Sequence, residues 1–279
     1  MKLIKKQCQI RKTAGNDNLE ETVQRNFISD LKMGISFYSR LPLGDAHNAP
    51  ILNNIAPALP FASLLIGFPP ALLLFISLII GLPPLFAASI AIGLYALITG
   101  AMSEDAIADS FDALFGGQNK AQRLDILKDS RHGTYGVIAL VLYIALRVFA
   151  LGAIAAIAPL ASAALMLGAS ILARSSALYL VVKLPSARKQ GASASAGVLK
   201  KIPFIVGLVF AFIFSLILVA PFAGIFALIL AFIFMVIITL FWTRTCEKLI
   251  AGQTGDLIGA LQALLEIAAF SGFLIALNI

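Results

Sequence analysis

The chain has 279 residues, of which 60% are hydrophobic and only 13% are charged, and its mean hydropathy is +0.95. Soluble domains carry about 25% charged residues, so this composition excludes an ordinary soluble protein and indicates an integral membrane protein. The net charge of +7 is spread over four loops without interleaved aromatic residues, which argues against nucleic acid as a partner and favours contact with anionic membrane lipid. Cys8 and Cys246 have no ligand-like spacing and predict neither a disulfide framework nor a metal cluster.

An amphipathic helix is the first element predicted in chain order. Apolar residues recur at helical spacing after Asp17, a candidate N-cap: Leu19, Val23, Phe27, Leu31, Ile35 and Tyr38. We expect this helix to lie on the cytoplasmic membrane surface or to pack against the bundle, and packing is the more ordinary role. We assign residues 1–50 to a cytoplasmic N-terminal tail that contains the helix, and residues 51–279 to a single transmembrane domain.

Seven apolar segments follow, each long enough or nearly so to cross a hydrocarbon core, which takes about 20 helical residues. They lie at roughly 57–81, 84–102, 134–157, 160–182, 202–220, 222–242 and 257–278. The predicted fold is therefore all-α, a polytopic membrane bundle of about seven transmembrane helices plus the N-terminal amphipathic helix. Pro69 and Pro70 fall in the middle of the first span and should kink or break it.

The connections between these spans alternate in character. Three of them, 81–84, 158–161 and 220–224, are short and uncharged, whereas 19 of the 21 lysines and arginines lie in the N-terminal tail and in the loops on the other side. The positive-inside rule places those charged segments and the N-terminus in the cytoplasm. A transporter is disfavoured because the far face offers almost no polar residues to line an opening.

Four carboxylates within nine residues come directly after the second span. On a helix that continues out of that span, Asp105, Asp109 and Asp112 lie within about 60° of one another, and Glu104 points about 100° away. Clustered carboxylates raise one another's pKa unless a cation compensates, and Mg²⁺ takes oxygen ligands while keeping sites for substrate phosphates. We predict a Mg²⁺ site formed by the three aspartates, with Glu104 as a further candidate ligand. The alternative is a solvated acidic face, or pairing with nearby basic residues.

A basic segment follows the turn at residues 116–117. Arg123, Lys128 and Arg131 are candidates to hold phosphate oxygens, and Arg131 can clamp a diphosphate bidentately. Asp129 is a candidate metal ligand or general base, although a surface pair with Arg131 is an equal alternative. His132 can titrate near neutrality, yet a lone loop histidine is more often structural. Acids for a metal beside bases for phosphate favour metal-assisted phosphoryl transfer.

The whole segment 103–136, SEDAIADSFDALFGGQNKAQRLDILKDSRHGTYG, resembles the central motif of the cobalamin synthase family, the adenosylcobinamide-GDP ribazoletransferases. Members of that family read approximately H-x-D-G-L-A-D-x-x-D-G-L-F-G-G, followed by K-D-S-R-x-G-T-Y-G. Other stretches resemble the family in the same order: SFYSRLP at 36–42, LPFASLLIG at 59–67, PSARKQG at 185–191 and AGQTGDLIGALQALLE at 251–266. Ser103 replaces a frequent histidine, and Ala106 and Ala113 replace motif glycines, but each motif carboxylate is kept.

The resemblance implies a Mg²⁺-dependent enzyme of the bacterial inner membrane with a cytoplasmic active site. Family members join adenosylcobinamide-GDP to α-ribazole or its 5′-phosphate, release GMP and form adenosylcobalamin or its phosphate, a late step of cobalamin biosynthesis. It further implies that Lys128 and Arg131 hold phosphates, with Asp129 as a further ligand or base. A CDP-alcohol-type phosphotransferase is the alternative enzyme, since that class also uses spaced aspartates at a membrane face. The sequence leaves open whether the chain forms a homo-oligomer.

Charged residues inside the spans complete the candidate substrate-binding set. Arg174 and Glu266 lie at similar depth and are predicted to form a buried pair, with a structural salt bridge slightly favoured over substrate contact. Arg147 is left without an acid at its level and is the better candidate to bind an anion or corrin amide oxygens. Asp256 caps the last span or belongs to the catalytic loop. Arg188 is a weaker candidate for a nucleotide contact.

Overall fold

The computed structural model describes residues 26–41, 51–129, 131–188 and 198–279. Its helices are α1 (Phe27–Tyr38), α2 (Leu52–Ile79), α3 (Pro84–Thr99), α4 (Met102–Phe111, continued by a π-helical turn, Asp112–Gly116), α5 (Lys120–Ile126), α6 (Thr134–Ile157), α7 (Pro159–Ala177), α8 (Tyr179–Lys183), α9 (Lys201–Ile250) and α10 (Gly255–Leu277). Within these ranges the β structure is a single isolated bridge between Ser186 and Gln253. The all-α prediction is confirmed.

Five of the helices are long and apolar enough to cross a membrane: α2, α6, α7 together with α8, α9, and α10. A sixth candidate is α3, taken with α4, to which it is joined through a bend of 88°. The 50 residues of α9 would measure about 75 Å as one straight helix, more than twice a hydrocarbon core of about 30 Å. The described chain is therefore a multi-pass membrane protein.

A break at Gly224 divides α9 into two arms. The backbone angles of Gly224, φ of 75° and ψ of 169°, are non-helical, and only glycine adopts them readily. Leu208 and Phe212 of the first arm line the same cavity as Phe232 and Val236 of the second, so the arms fold back on each other. Counting them as two spans gives the bundle of about seven helices that the sequence predicts.

The centre of the bundle is the span formed by α7 and α8, whose apolar stretch is 83% buried, whereas that of α9 is only 22% buried. Large apolar side chains project outward from the surface of α9, among them Ile217, Phe226 and Phe241. A helix with such a face needs an apolar solvent, so the periphery suits lipid. The first span, α2, is continuous through Pro57, Pro60, Pro69 and Pro70, so the chain does not break at 69–70, and a kink there stays a prediction.

The acidic segment does not continue straight out of the second span, as the sequence suggested. Gly100 and Ala101 both adopt left-handed backbone conformations, with φ of 68° and 56°, and the amide of Ala101 closes the end of α3 on Ala96 O at 2.7 Å. The chain then turns by 88° into α4. After this turn, α4 packs against α6 and α10, with Asp112 at the start of α6 and Glu104 beside Arg147 inside the bundle.

The N-terminal helix packs against the bundle, as the more ordinary of the two predicted roles requires. Asn26 caps α1 through its side chain, and Ile35 and Tyr38 are buried against Leu52 and Ile55 of α2. The predicted start at Asp17, with Leu19 and Val23, lies outside the described residues. The boundary between tail and transmembrane domain at residue 50 stays a prediction.

Candidate active site

The polar loops meet at one end of the bundle. The Arg123 guanidinium donates to Leu249 O at 3.2 Å, and the Arg188 guanidinium donates to Leu124 O at 3.3 Å. Backbone hydrogen bonds of 2.9 Å join Gln253 to Pro185 and Ala187. The loops around residues 117–129, 131–133, 184–188 and 250–254 therefore form one surface, beside α4.

Two of the four predicted metal ligands converge on this surface, together with His132. His132 Nδ1 lies 3.4 Å from Asp109 Oδ1, and His132 Nε2 lies 3.9 Å from Asp105 Oδ1. One ligand atom from each of the three residues falls within 4.8 Å of the others, which is close enough for all to contact one ion. The two carboxylates fit Mg²⁺, a hard cation that favours oxygen, and imidazole is a common ligand of softer divalent ions.

Asp109 is the carboxylate of the cluster whose ionised form is most disfavoured by its surroundings. It lies beside His132 at the polar loop surface, and its side chain is 14% exposed, whereas that of Asp105 is 66% exposed. Burial, followed by the negative charges of Asp105 and Asp256, raises the pKa of Asp109 to about 6. A bound cation would relieve both effects, so the cluster has the properties of a cation site.

Asp112, the third predicted metal ligand, contacts the same loop as the cluster but binds backbone. Its carboxylate accepts hydrogen bonds from the amides of Gly133 at 2.6 Å and Gly136 at 2.8 Å. Gly133 is the N-cap of α6 and Gly136 lies in its first turn, where backbone donors otherwise lack partners and a negative charge is favoured. Asp112 thus caps α6 from a different helix and holds His132 against α4. The three aspartates do share one face, and residues 132–136 cover it.

Glu104, the fourth predicted ligand, points into the bundle and away from the other acids. Arg147 donates to Glu104 Oε1 at 2.9 Å and to Glu266 Oε1 at 3.3 Å. Tyr143 and Ser170 also donate to Glu266, at 2.9 and 3.2 Å. Arg147 therefore has two acid partners, and the expectation that it lacked one is wrong.

Arg174 does not pair with Glu266, which corrects the predicted buried pair. Its guanidinium donates to Tyr95 Oη at 2.7 Å and Ser63 Oγ at 3.2 Å, and it stands 5.2 Å from the centre of the Tyr38 ring. Depth along a helix could not distinguish the two arginines, because the helix rotations that aim each side chain depend on packing. Among the described residues, Arg174 has neutral partners only.

The exposed loop before α6 holds the predicted phosphate-binding residues. Arg131 forms a short pair with Asp129, with Nη2 and Oδ2 separated by 2.6 Å, and Lys128 lies 3.5 Å from Asp125. Hydrogen bonds from Arg131 lower the pKa of Asp129 to about 2. A carboxylate with that pKa is a weak base at neutral pH, so the surface pair fits the structure better than a general base.

Asp256 stands in the first turn of α10, next to Thr254, the N-cap of that helix. Its charge acts on Asp109 and is in turn compensated by Arg188. Arg188 and Asp256 therefore lie beside the acidic cluster. Arg123, by contrast, uses its guanidinium to join α5 to the end of α9.

His132 is the site residue that the sequence argument undervalued. Its position, directly before Gly133, the N-cap of α6, gave no sign of proximity to Asp109, which lies 23 residues earlier. The pair Asp112 and Gly136 is the feature that could have located His132. When an acid on α4 caps the start of α6, the residue before Gly133 is brought next to α4.

Comparisons with known proteins found related sequences along most of the chain. The family model described as Cobalamin-5-phosphate synthase (CobS) matches residues 30–274. Proteins named adenosylcobinamide-GDP ribazoletransferase are similar along most of their length: that of Azorhizobium caulinodans is 38% identical over 89% of this chain and 96% of its own, and that of Rhizobium etli CFN 42 is 37% identical over 91% and 99%. No solved structure matches significantly. This chain belongs to the cobalamin-5-phosphate synthase family.

Proposed function

We propose that this chain transfers adenosylcobinamide phosphate from adenosylcobinamide-GDP to α-ribazole or α-ribazole 5′-phosphate. The observation that carries the proposal is the convergence of Asp105, Asp109 and His132 beside a basic loop, in a chain whose relatives bear the name of this activity. A ribose hydroxyl attacks the phosphorus that bears cobinamide, and the bond from that phosphorus to the oxygen bridging to GMP breaks. The hydroxyl proton is released, and GMP leaves with the bridging oxygen.

The cluster is the proposed Mg²⁺ site, with Asp105 and Asp109 as ligands and His132 as their neighbour. Bound there, the metal would neutralise negative charge that builds up on the phosphate oxygens during transfer. Asp112 holds the loop that carries His132. Glu104 anchors α4 through Arg147 and is not a proposed metal ligand.

Arg131 and Lys128 are the proposed contacts for the diphosphate. Both side chains are largely exposed, and their carboxylate partners, Asp129 and Asp125, can be exchanged for phosphate oxygens. The planar guanidinium of Arg131 already donates from two nitrogens to Asp129, which is the geometry that a diphosphate would use. Asp129 is then a residue that orients Arg131.

The proposed location is the bacterial inner membrane, with the site on the cytoplasmic side. The distribution of lysine and arginine supports this orientation, because the loops that form the site are also the basic ones. The outward apolar side chains of α9 are proposed to contact lipid.

The test is release of GMP by the purified protein in lipid nanodiscs, supplied with adenosylcobinamide-GDP, α-ribazole and Mg²⁺. We expect EDTA to abolish release, and Asp105→Asn and Asp109→Asn each to slow it by about 10²–10³-fold, as for a lost electrostatic contact to a transition state. Asp125→Asn is the matched control, since Asp125 is exposed beside Lys128. Release that persists in EDTA would overturn the metal mechanism. Release of CMP from a CDP-alcohol instead would identify the alternative transferase.

A further inference from the structure

A cavity of about 270 Å³ opens beside the acidic cluster, between α1, α4, α8 and α10. One wall is apolar and partly aromatic, formed by Phe37 and Tyr38 of α1 with Leu178 and Val181 near α8. Asp105 also lines the cavity, so one carboxylate borders both this space and the proposed metal site. A molecule bound here would present one end to the reacting phosphate. We call this space the α1 cavity.

Gln253, one of the polar residues that line the α1 cavity, carries a buried hydrogen-bond acceptor without a partner in the described part of the chain. Gln253 is 2% exposed, and its side-chain Oε1 has no hydrogen-bond partner among the residues that the structure describes. Its backbone is fixed by the two bonds to Pro185 and Ala187, which limits how far the side chain can move away. A buried acceptor without a partner is costly, so this oxygen indicates a ligand that donates a hydrogen bond.

The size and charge of the cavity argue against the corrin and the diphosphate as its ligands. Small-molecule sites usually measure about 300–1,000 Å³, so 270 Å³ suits a compact ligand and is too small for a corrin macrocycle with its side chains. Its described lining includes Asp105 and Asp256 but neither lysine nor arginine, which disfavours the diphosphate. Two parts of the substrates then fit, the acceptor nucleoside and the guanosine of the donor, since each has a flat aromatic base and a ribose with hydroxyl donors. The acceptor is the one whose own ribose hydroxyl must reach the phosphorus, and the cavity borders the proposed metal site at Asp105, so we assign the cavity to the acceptor.

We propose that the α1 cavity binds the acceptor nucleoside, with its aromatic base against the apolar wall and its ribose towards Asp105. A ribose hydroxyl donates to Gln253 Oε1, and a second hydroxyl reaches the phosphorus beside the acidic cluster. Aromatic contact with Phe37 and Tyr38 supplies the base with a flat apolar partner. This inference rests on the proposed function for the identity of the acceptor as α-ribazole, and it gives α1 a part in substrate binding.

The test narrows the α1 cavity with a larger side chain and measures the KM for each of the two substrates separately. We expect Val181→Phe to raise the KM for α-ribazole by about tenfold or more, equivalent to ~1.4 kcal/mol, and to change the KM for adenosylcobinamide-GDP by less than about twofold. Val236→Phe is the matched control, because Val236 lines the separate cavity between the arms of α9. A KM for adenosylcobinamide-GDP that rises instead would overturn the proposal.

A second variant and a direct measurement guard against misfolding and against failure of the proposed function. Gln253→Leu keeps the side-chain size and removes the acceptor, and we expect it to weaken equilibrium binding of α-ribazole, measured by calorimetry without the second substrate. If the wild type binds α-ribazole and both variants weaken that binding, the cavity is supported even if no GMP is released. Unchanged binding in correctly folded Val181→Phe and Gln253→Leu would overturn it.

Discussion

Arg147 Nη1 lies 2.9 Å from Glu104 Oε1, and Glu104 directly precedes the proposed metal ligand Asp105. Arg147 also bonds Glu266 of α10 and lies over the rings of Tyr95 and Tyr143. A buried guanidinium held from several sides fixes the position and rotation of α4. Arg147 therefore positions the acidic cluster from inside the bundle without touching it.

Replacing Arg147 should destabilise the protein strongly. Arg147→Met leaves two buried carboxylates without their cation, and we expect a loss of about 3–5 kcal/mol in the free energy of unfolding. Unfolding in mixed micelles, followed by circular dichroism, measures this quantity. Arg244→Met is the control, since Arg244 is exposed, and should stay within about 0.5 kcal/mol of the wild type. Equal effects of the two variants would refute the anchoring role of Arg147.

The cap that Asp112 provides makes Gly136 irreplaceable. A β-carbon at Gly136 would collide with Asp112 Oδ2, so Gly136→Ala must displace either the carboxylate or the start of α6. We expect a loss of GMP release of about 10-fold or more, because His132 and the cluster move apart. Gly93→Ala is the matched control: Gly93 is helical and a β-carbon there has open space. Full activity of Gly136→Ala would contradict this account of the loop.

Metal binding should weaken as the pH falls through about 6. The pKa of Asp109 is raised, so the carboxyl is protonated below that value and ionised above it. The ionised fraction falls about fourfold from pH 7.5 to pH 5.5, and we expect the Mg²⁺ concentration for half-maximal GMP release to rise by about that factor. The measurement is a Mg²⁺ titration at the two pH values. A requirement that is constant, or lower at pH 5.5, would contradict the assignment of Asp109.

Substitution of Arg131 by lysine should show whether binding of the diphosphate needs the two-nitrogen geometry of the guanidinium or only its positive charge. Arg131→Lys keeps the positive charge but removes the two-nitrogen contact now made to Asp129. We expect kcat/KM for adenosylcobinamide-GDP to fall by about 10-fold or more, while the KM for α-ribazole is little changed. Lys120→Arg, on the exposed side of α5, tests whether any change in a nearby cation has the same effect. A uniform effect on both substrates would argue against a diphosphate contact.

The sequence predicted the periodic features well, because they depend on local chemistry. Apolar length located the spans, with 134–157 placed at the observed bounds of α6, and the helical period placed Asp105, Asp109 and Asp112 on one face. Partners set by packing were not predictable: the 88° turn after Gly100, the choice of Glu104 and Glu266 by Arg147, and the approach of His132 to Asp109. Each of these depends on how separate helices rotate against one another, which the spacing within one helix does not encode.

Binding of Mn²⁺ to the purified protein, followed by electron paramagnetic resonance, tests the central claim most directly, because Mn²⁺ accepts the same oxygen ligands as Mg²⁺. The account predicts that the wild type and Asp125→Asn bind the ion, that Asp109→Asn and Asp105→Asn lose it, and that Mg²⁺ displaces it from the wild type. Binding that survives in both Asp105→Asn and Asp109→Asn would show that the ion lies elsewhere and would contradict the proposed site.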